Sequence, residues 1–174
     1  GERPDDIRLV ARADAGWFWL IPISPELTSV GVVIPMKRYM QLEHGSPETM
    51  LQATFDDTPI MADLMRNASR EWPVRVEKDF SYSASTYAGD RWILAGDAGS
   101  FLDPVFSSGL LLAFDGAKEL AKAILAGGGP KALAAYETHV RNHLRSWHKT
   151  IEHFYDGRLF TLFRVGQVVQ TTPW

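Results

Sequence analysis

The chain has 174 residues, of which 45% are hydrophobic and 22% charged, enough for one globular core of ordinary composition. A formal charge of −3 without clustered lysine or arginine argues against a nucleic-acid surface, and the lack of cysteine excludes disulfides and thiolate metal sites. No apolar run approaches the roughly 20 residues that span a bilayer. We therefore expect a soluble, cytoplasmic protein without stable membrane insertion.

Residues 7–35 are typical of an antiparallel meander. Alternating apolar and polar residues, separated by turn formers, predict three strands at residues 7–11, 17–23 and 28–34. Trp17 and Trp19 share one face of the second strand. From this pattern alone, both tryptophans are expected to pack in the core or against neighbouring strands.

Two helices are predicted after Pro35 closes the meander. Apolar spacing places them at about residues 47–55 and 59–68, where several methionines favour a core-filling role. The β-branched and aromatic residues between 74 and 87 then predict a return to strand.

The stretch from Trp92 to Gly109 has the order strand, loop, helix. Residues 92–95 predict a strand buried on both faces, and apolar positions at helical spacing begin at Gly109, after Ser107 and Ser108. The first amides of a helix lack intrahelical partners, so they favour an anion or a carbonyl-rich ring edge. Asp97, at the strand's carboxyl end, can accept hydrogen bonds from a polyol; the alternative is an aspartate that caps its own turn.

A long helix is predicted from Pro130 to about residue 157, after three glycines that end the preceding helix. His139 and His143 are four residues apart on it and could share a metal ion. A metal site needs a third ligand, however, and the intervening residues lack the glutamate of a zincin motif. We therefore predict surface histidines and no metal.

Two motifs resemble those of known flavoproteins. The ordered run of Gly96-Asp97, Asp103-Pro104 and Ser107-Ser108-Gly109 resembles the second flavin-binding motif of FAD-dependent monooxygenases and halogenases of the p-hydroxybenzoate hydroxylase type. Residues 17–22 match the Trp-x-Trp-x-Ile-Pro signature of flavin-dependent halogenases. Tryptophan-type halogenases carry a glutamate where this chain has Phe106, so the resemblance favours the enzymes that act on phenols and pyrroles.

The resemblance implies a role for each matching residue. Asp97 would bind the ribityl chain of FAD, the amides of Gly109 and Leu110 would face the flavin ring, and a halide would lie by Ser108 and Gly109. The family's catalytic lysine lies outside this chain, and Lys37 is in no matching motif. The remaining predicted positions are Gly96, Asp103 and Pro104 at the cofactor, and Trp17, Trp19 and Phe106 as active-site wall.

Asp103 has three possible roles. Before a proline, its side chain commonly bonds the following backbone and forms a turn. Near a flavin ring it could instead act as an acid, or as a covalent attachment point, as an acidic residue near this loop does in some relatives.

The resemblance implies a mixed α/β fold: part of an FAD-binding domain of the p-hydroxybenzoate hydroxylase type, with an antiparallel substrate-side sheet and a long C-terminal helix. The expected division is residues 1–87 for the sheet with its helical insertion, 88–129 for the FAD-binding part and 130–174 for the helical region. No Gly-x-Gly-x-x-Gly fingerprint occurs and residues 2–6 read as a linker. We therefore expect a C-terminal portion of a larger enzyme, inactive by itself.

The implied enzyme is an FAD-dependent halogenase of specialised metabolism, such as antibiotic biosynthesis. Reduced FAD, supplied by a flavin reductase, would react with oxygen and oxidise chloride or bromide to hypohalous acid. The acceptor would be an electron-rich small molecule, free or tethered to a carrier protein. Two alternatives are a monooxygenase or flavin reductase of the same fold, and a non-catalytic binding module that has lost its cofactor.

Overall fold

The computed structural model describes residues 6–12, 16–42, 45–78 and 80–162, and the chain divides into two compact units between residues 77 and 78. Both units combine helices with small antiparallel sheets, so the predicted mixed α/β class is confirmed. Most of the predicted linker, at residues 2–5, and the end of the predicted helical region, after residue 162, lie outside the described residues.

The first unit is built on the predicted meander. Its central strand pairs antiparallel with both neighbours, and Trp17 lies opposite Ala11 on one side and Val33 on the other. The sheet has the order β1-β2-β3. Its strands are β1 (Arg8–Ala11), β2 (Trp17–Pro22) and β3 (Thr28–Val33).

Helices cover one face of this sheet. Phe18 and Leu20 alternate with the two tryptophans along β2 and form a core with Phe55 and Met61, so the predicted packing role of methionine is confirmed for Met61. The first helix was not predicted. The helices are α1 (Met36–Leu42), α2 (Pro47–Asp56) and α3 (Pro59–Met65).

The second unit begins with short two-residue ladders. β4 pairs with β7, and β5 pairs with β6, each in antiparallel register. The predicted strand over residues 74–87 is therefore wrong for most of its length, since only Tyr82–Ser83 among the described residues of this range lie in a strand. The strands are β4 (Tyr82–Ser83), β5 (Ala88–Gly89), β6 (Trp92–Ile93) and β7 (Ser100–Phe101).

Two long helices complete this unit, and both were predicted. α4 (Gly109–Leu125) ends where the amides of Gly127 and Gly128 bond back to the carbonyls of Ile124 and Ala123. Both glycines have left-handed φ angles, +96° and +64°, which confirms their predicted role as a helix stop. α5 (Pro130–Tyr155) follows after four residues, with proline in its first turn.

The core of the second unit lies between α4, α5 and the short strands. Tyr87, Ala123, Tyr136 and Leu144 are its buried members, and the Tyr136 hydroxyl donates a hydrogen bond to the Leu94 carbonyl at 2.8 Å. This contact ties α5 to the segment between β6 and Gly96. Over the residues described, no helix is both long enough and apolar enough to cross a membrane.

Candidate functional site

The loop between β6 and α4 has an unusual backbone. Gly96 has a left-handed φ of +53°, which favours glycine, and it opens a 3₁₀ turn that spans Gly96–Ala98. A second 3₁₀ turn, Pro104–Phe106, ends at Ser107, whose φ of +51° is uncommon for a residue with a side chain. Such backbone outliers concentrate at functional sites, so the loop is a candidate site on geometry as well as on sequence.

Asp97 lies in the first of these turns. The residue is exposed, and its backbone carbonyl accepts a hydrogen bond from the Tyr82 hydroxyl. Within the described part of the chain, no group donates a hydrogen bond to the Asp97 carboxylate. Its acceptor capacity is therefore available to a ligand.

Asp103 has a different environment. One carboxylate oxygen accepts a hydrogen bond from the Val105 amide at 3.0 Å, and the other accepts one from the Tyr155 hydroxyl at 2.5 Å. The turn-forming role among the three alternatives is thus observed. The second bond, which fixes the loop to the end of α5, could not be foreseen because 52 residues separate the partners.

The start of α4 is open. Ser108 occupies the N-cap and is buried, but its hydroxyl makes no capping hydrogen bond, so it leaves the first amides without a side-chain partner. Gly109 and Leu110 are exposed, and a methyl group added at Gly109 would meet no atom within 4 Å. The positive end of a 17-residue helix is therefore accessible.

The predicted wall residue Phe106 packs against α5. Its ring lies 6.2 Å from the Trp147 ring and 5.8 Å from the Phe154 ring, centroid to centroid. Pro104, just before it, is exposed. Phe106 therefore anchors the loop through an aromatic cluster, beside the hydrogen bond that joins Asp103 to α5.

Trp17 and Trp19 lie in the first unit, where their ring centroids are 5.9 Å apart on one face of β2. Trp17 is buried, and the Trp19 indole covers Gly31 so closely that an added methyl would lie 2.0 Å from the ring. The Trp19 indole nitrogen donates a hydrogen bond to the Ser29 hydroxyl at 3.3 Å. The predicted shared face is confirmed, while a role in an active-site wall stays a prediction.

Sequence analysis missed a cluster that joins α4 to α5. One oxygen of Asp115 lies 2.6 Å from Nε2 of His139 and 2.7 Å from Nδ1 of His143. Hydrogen bonds from the two histidines, His139 first, lower the pKa of the Asp115 carboxyl. The feature of the sequence that could have indicated this cluster was Asp115 itself, a lone carboxylate in the apolar first half of α4.

These groups share one groove in the second unit. Gly96, Asp97, Asp103 and Gly109 line one part of it, and the Asp115 cluster lines another. With Pro104, the groove therefore brings together five of the predicted cofactor residues with two histidines that were expected to lie on the surface.

The fold is that of FAD-dependent halogenases and monooxygenases. The solved structure of the flavin-dependent brominase Bmp2 superimposes with a TM-score of 0.79 and 29% identity, covering 92% of this chain and 42% of that one. A sequence profile of the tryptophan halogenase family matches residues 7–160. The chain therefore belongs to the tryptophan halogenase family, and the resemblance inferred from its two motifs is confirmed.

Curated relatives agree with this assignment. The chain is 31% identical over 153 residues to a 1H-pyrrole-2-carbonyl-[peptidyl-carrier protein] chlorinase of Pseudomonas fluorescens, a match that covers 84% of this chain and 34% of the relative. It is 33% identical to a tryptophan 2-halogenase of Chondromyces crocatus, over 87% of this chain and 31% of that protein. The chain thus spans about a third of the length of these relatives.

Proposed function

We propose that the protein containing this chain is an FAD-dependent halogenase, and that residues 96–110 form part of its flavin site. The observation that carries the proposal is the accessible start of α4 beside the unpartnered Asp97 carboxylate, in a chain of this family. When bound, reduced FAD would supply the activation of oxygen and, through it, the oxidation of a halide.

The residues present fit part of such a cofactor. The Asp97 carboxylate would accept hydrogen bonds from the hydroxyls of the ribityl chain, and Gly96 supplies the turn that presents it. The amides of Gly109 and Leu110 would stabilise negative charge on the flavin ring, because they carry the positive end of the α4 dipole. Asp103 and Pro104 would line the same site.

The halide would bind at the same helix start, by the amides of Ser108 and Gly109. Chloride and bromide are anions, so the helix dipole and unpartnered amides favour them there. We further propose that Trp17, Trp19 and Phe106 contribute to the wall that separates the substrate from the flavin. The division into substrate-side, FAD-binding and helical regions is proposed with the boundaries predicted from the sequence.

The proposed acceptor is an electron-rich phenol or pyrrole, free or on a carrier protein, with reduced flavin delivered by a reductase. The pyrrolyl chlorinase among the relatives supports the carrier-bound form. Phe106 supports it too, since the family's tryptophan-specific branch has a glutamate there. Cytoplasmic location and a place in antibiotic biosynthesis belong to the same proposal.

The test uses the intact protein with FAD, a flavin reductase, NADH, oxygen and either halide. Pyrrole-2-carbonyl carrier protein and a free phenol are offered in parallel, and mass spectrometry detects the halogenated product. An oxygenated product formed without halide would instead indicate a monooxygenase. A protein that binds no flavin would contradict the proposal and favour a binding module.

Asp97→Asn tests the site itself. Losing a charge-assisted hydrogen bond of about 1.5–3 kcal/mol should weaken FAD binding roughly ten- to a hundredfold. Asp90→Asn is the matched control, because it removes an exposed carboxylate from the turn between β5 and β6. Equal FAD affinity in both variants, measured by flavin fluorescence titration, would refute the role of Asp97.

A further inference from the structure

The cluster of Asp115, His139 and His143 lines the same groove as residues 96–110 but lies outside the proposed flavin-binding residues. The two histidines are four residues apart on α5, so their rings stack on one helix face with centroids 4.3 Å apart. Asp115 reaches them from α4, and all three candidate ligand atoms lie within 4.8 Å of one another. The third ligand that was not found next to the two histidines in the sequence is thus supplied by the packing of α4 against α5.

Both histidines have Asp115 as their common partner. In the described residues, the ion-pair partners of Asp115 are both histidines, with no lysine or arginine among them. The next carboxylate along α4, Glu119, pairs with Lys122 at 2.6 Å. Two imidazole nitrogens therefore lie beside the same carboxylate oxygen, close enough for the three groups to share one ion.

We propose that Asp115, His139 and His143 bind a divalent first-row transition metal ion. Two histidines at a spacing of four on one helix, plus a carboxylate, form a donor set that suits zinc, iron, cobalt and nickel. The ligand atoms would be Nε2 of His139, Nδ1 of His143 and a carboxylate oxygen of Asp115. Solvent would complete the coordination, since the His143 side chain is 47% exposed.

The required adjustment is small. Tetrahedral bonds of about 2.0–2.1 Å place neighbouring ligand atoms about 3.3 Å apart. The present distances of 2.6 and 2.7 Å would have to lengthen by roughly 0.6 Å. Side-chain rotation can supply this change, because all three side chains are partly exposed.

The metal ion would fasten α4 to α5. Asp115 lies six residues after Gly109, so a metal at Asp115 would fix the helix whose first amides face the proposed flavin site. The inference itself does not depend on that site, because it uses only the geometry of the three ligands. Its role is structural, and its readout is metal binding rather than turnover.

The experiment titrates Zn²⁺ into the intact, tag-free protein after treatment with a chelator, using isothermal calorimetry. One Zn²⁺ per chain is expected at this cluster. Asp115→Asn and His143→Gln should each weaken the affinity at least about tenfold, as loss of a ligand does more harm than loss of an outer partner. His143 is exposed, so its replacement leaves the helix core intact.

His148→Gln is the matched control. His148 lies on the same helix, is 65% exposed and pairs with Glu152 at 3.4 Å, and its replacement should leave Zn²⁺ affinity unchanged. Zn²⁺ should also raise the melting temperature of the parent and the control, but not of the two ligand variants. Absence of saturable binding, or equal affinity in Asp115→Asn and the parent, would overturn the proposal.

Discussion

A substitution at Gly109 should weaken the proposed flavin binding while leaving the stability of the second unit nearly unchanged. It begins α4, its φ is outside the left-handed region, and an added methyl would meet no atom within 4 Å. Gly109→Ala should therefore change the free energy of unfolding by less than about 0.5 kcal/mol, measured by urea denaturation. The same methyl would occupy the space beside the first amides, so FAD affinity should fall.

Gly129→Ala provides the comparison for that prediction. Gly129 is the N-cap of α5, also has open space around it and does not line the groove. Its replacement should leave FAD affinity unchanged. If Gly109→Ala bound FAD as tightly as Gly129→Ala, the flavin could not lie against the start of α4.

Tyr136 affects the packing of a whole helix, because it holds α5 to the segment between β6 and the loop at Gly96. Its ring is buried and its hydroxyl bonds the Leu94 carbonyl at 2.8 Å. Tyr136→Phe keeps the ring but leaves that carbonyl unpaired. The free energy of unfolding should fall by about 1–2 kcal/mol at neutral pH.

The contribution of Tyr136 to stability should decrease at alkaline pH. Burial raises the pKa of Tyr136 above its ordinary value of 10.0, because the folded state disfavours the phenolate. The stability that Tyr136 provides is therefore complete below about pH 10 and is lost as the pH rises through the raised pKa. Unfolding measurements from neutral to alkaline pH should show a shallower decline for Tyr136→Phe than for the parent, whereas exposed Tyr82→Phe should retain the decline.

Elements with strong periodicity could be predicted from the sequence. The meander alternates cleanly, and α5 presents an apolar stripe that begins at Pro130 and ends near Gly157. The helix Met36–Leu42 was missed because Pro35 was interpreted only as the end of the meander, although its carbonyl accepts the first helical bonds, from the amides of Arg38 and Tyr39.

Strand length was predicted poorly because it depends on the partner strand. In the described part of the chain, Trp92–Ile93 forms a two-residue ladder with Ala88–Gly89, and Trp92 is 47% exposed, so the expectation of a strand over residues 92–95 buried on both faces is wrong. The ladder ends because the chain turns at Gly96. β-propensity indicates that a residue suits a strand, but it does not indicate how many residues of a neighbouring strand will pair with it.

The candidate site also contains residues that could be predicted from the sequence and contacts that could not. Asp97 and Gly109 could be located by local signals, namely a strand end and a helix start. The partners of Asp103 and Asp115 could not, because Tyr155 and His139 reach them across 52 and 24 residues of chain. The side-chain contacts between α4 and α5 follow from how the two helices pack, which no single helix encodes.

At the scale of the whole molecule, α4 has a large apolar surface that the described residues leave exposed. Leu111, Phe114 and Leu125 are 59%, 68% and 88% exposed. Contiguous apolar surface of this kind drives association in water. We therefore expect residues 1–174, produced alone, to self-associate in sedimentation velocity and to bind the dye ANS.

Replacing Leu111 and Phe114 together with serine tests this expectation, because both residues lie on the exposed surface of α4 and outside the buried core. The double variant should shift the chain toward monomer and reduce ANS fluorescence several-fold. The same change at Ile60 and Leu64, exposed on α3, controls for general polarity and should have a smaller effect. A parent chain that stays monomeric at high concentration without binding ANS would show that the exposed side chains of α4 do not form an associating surface.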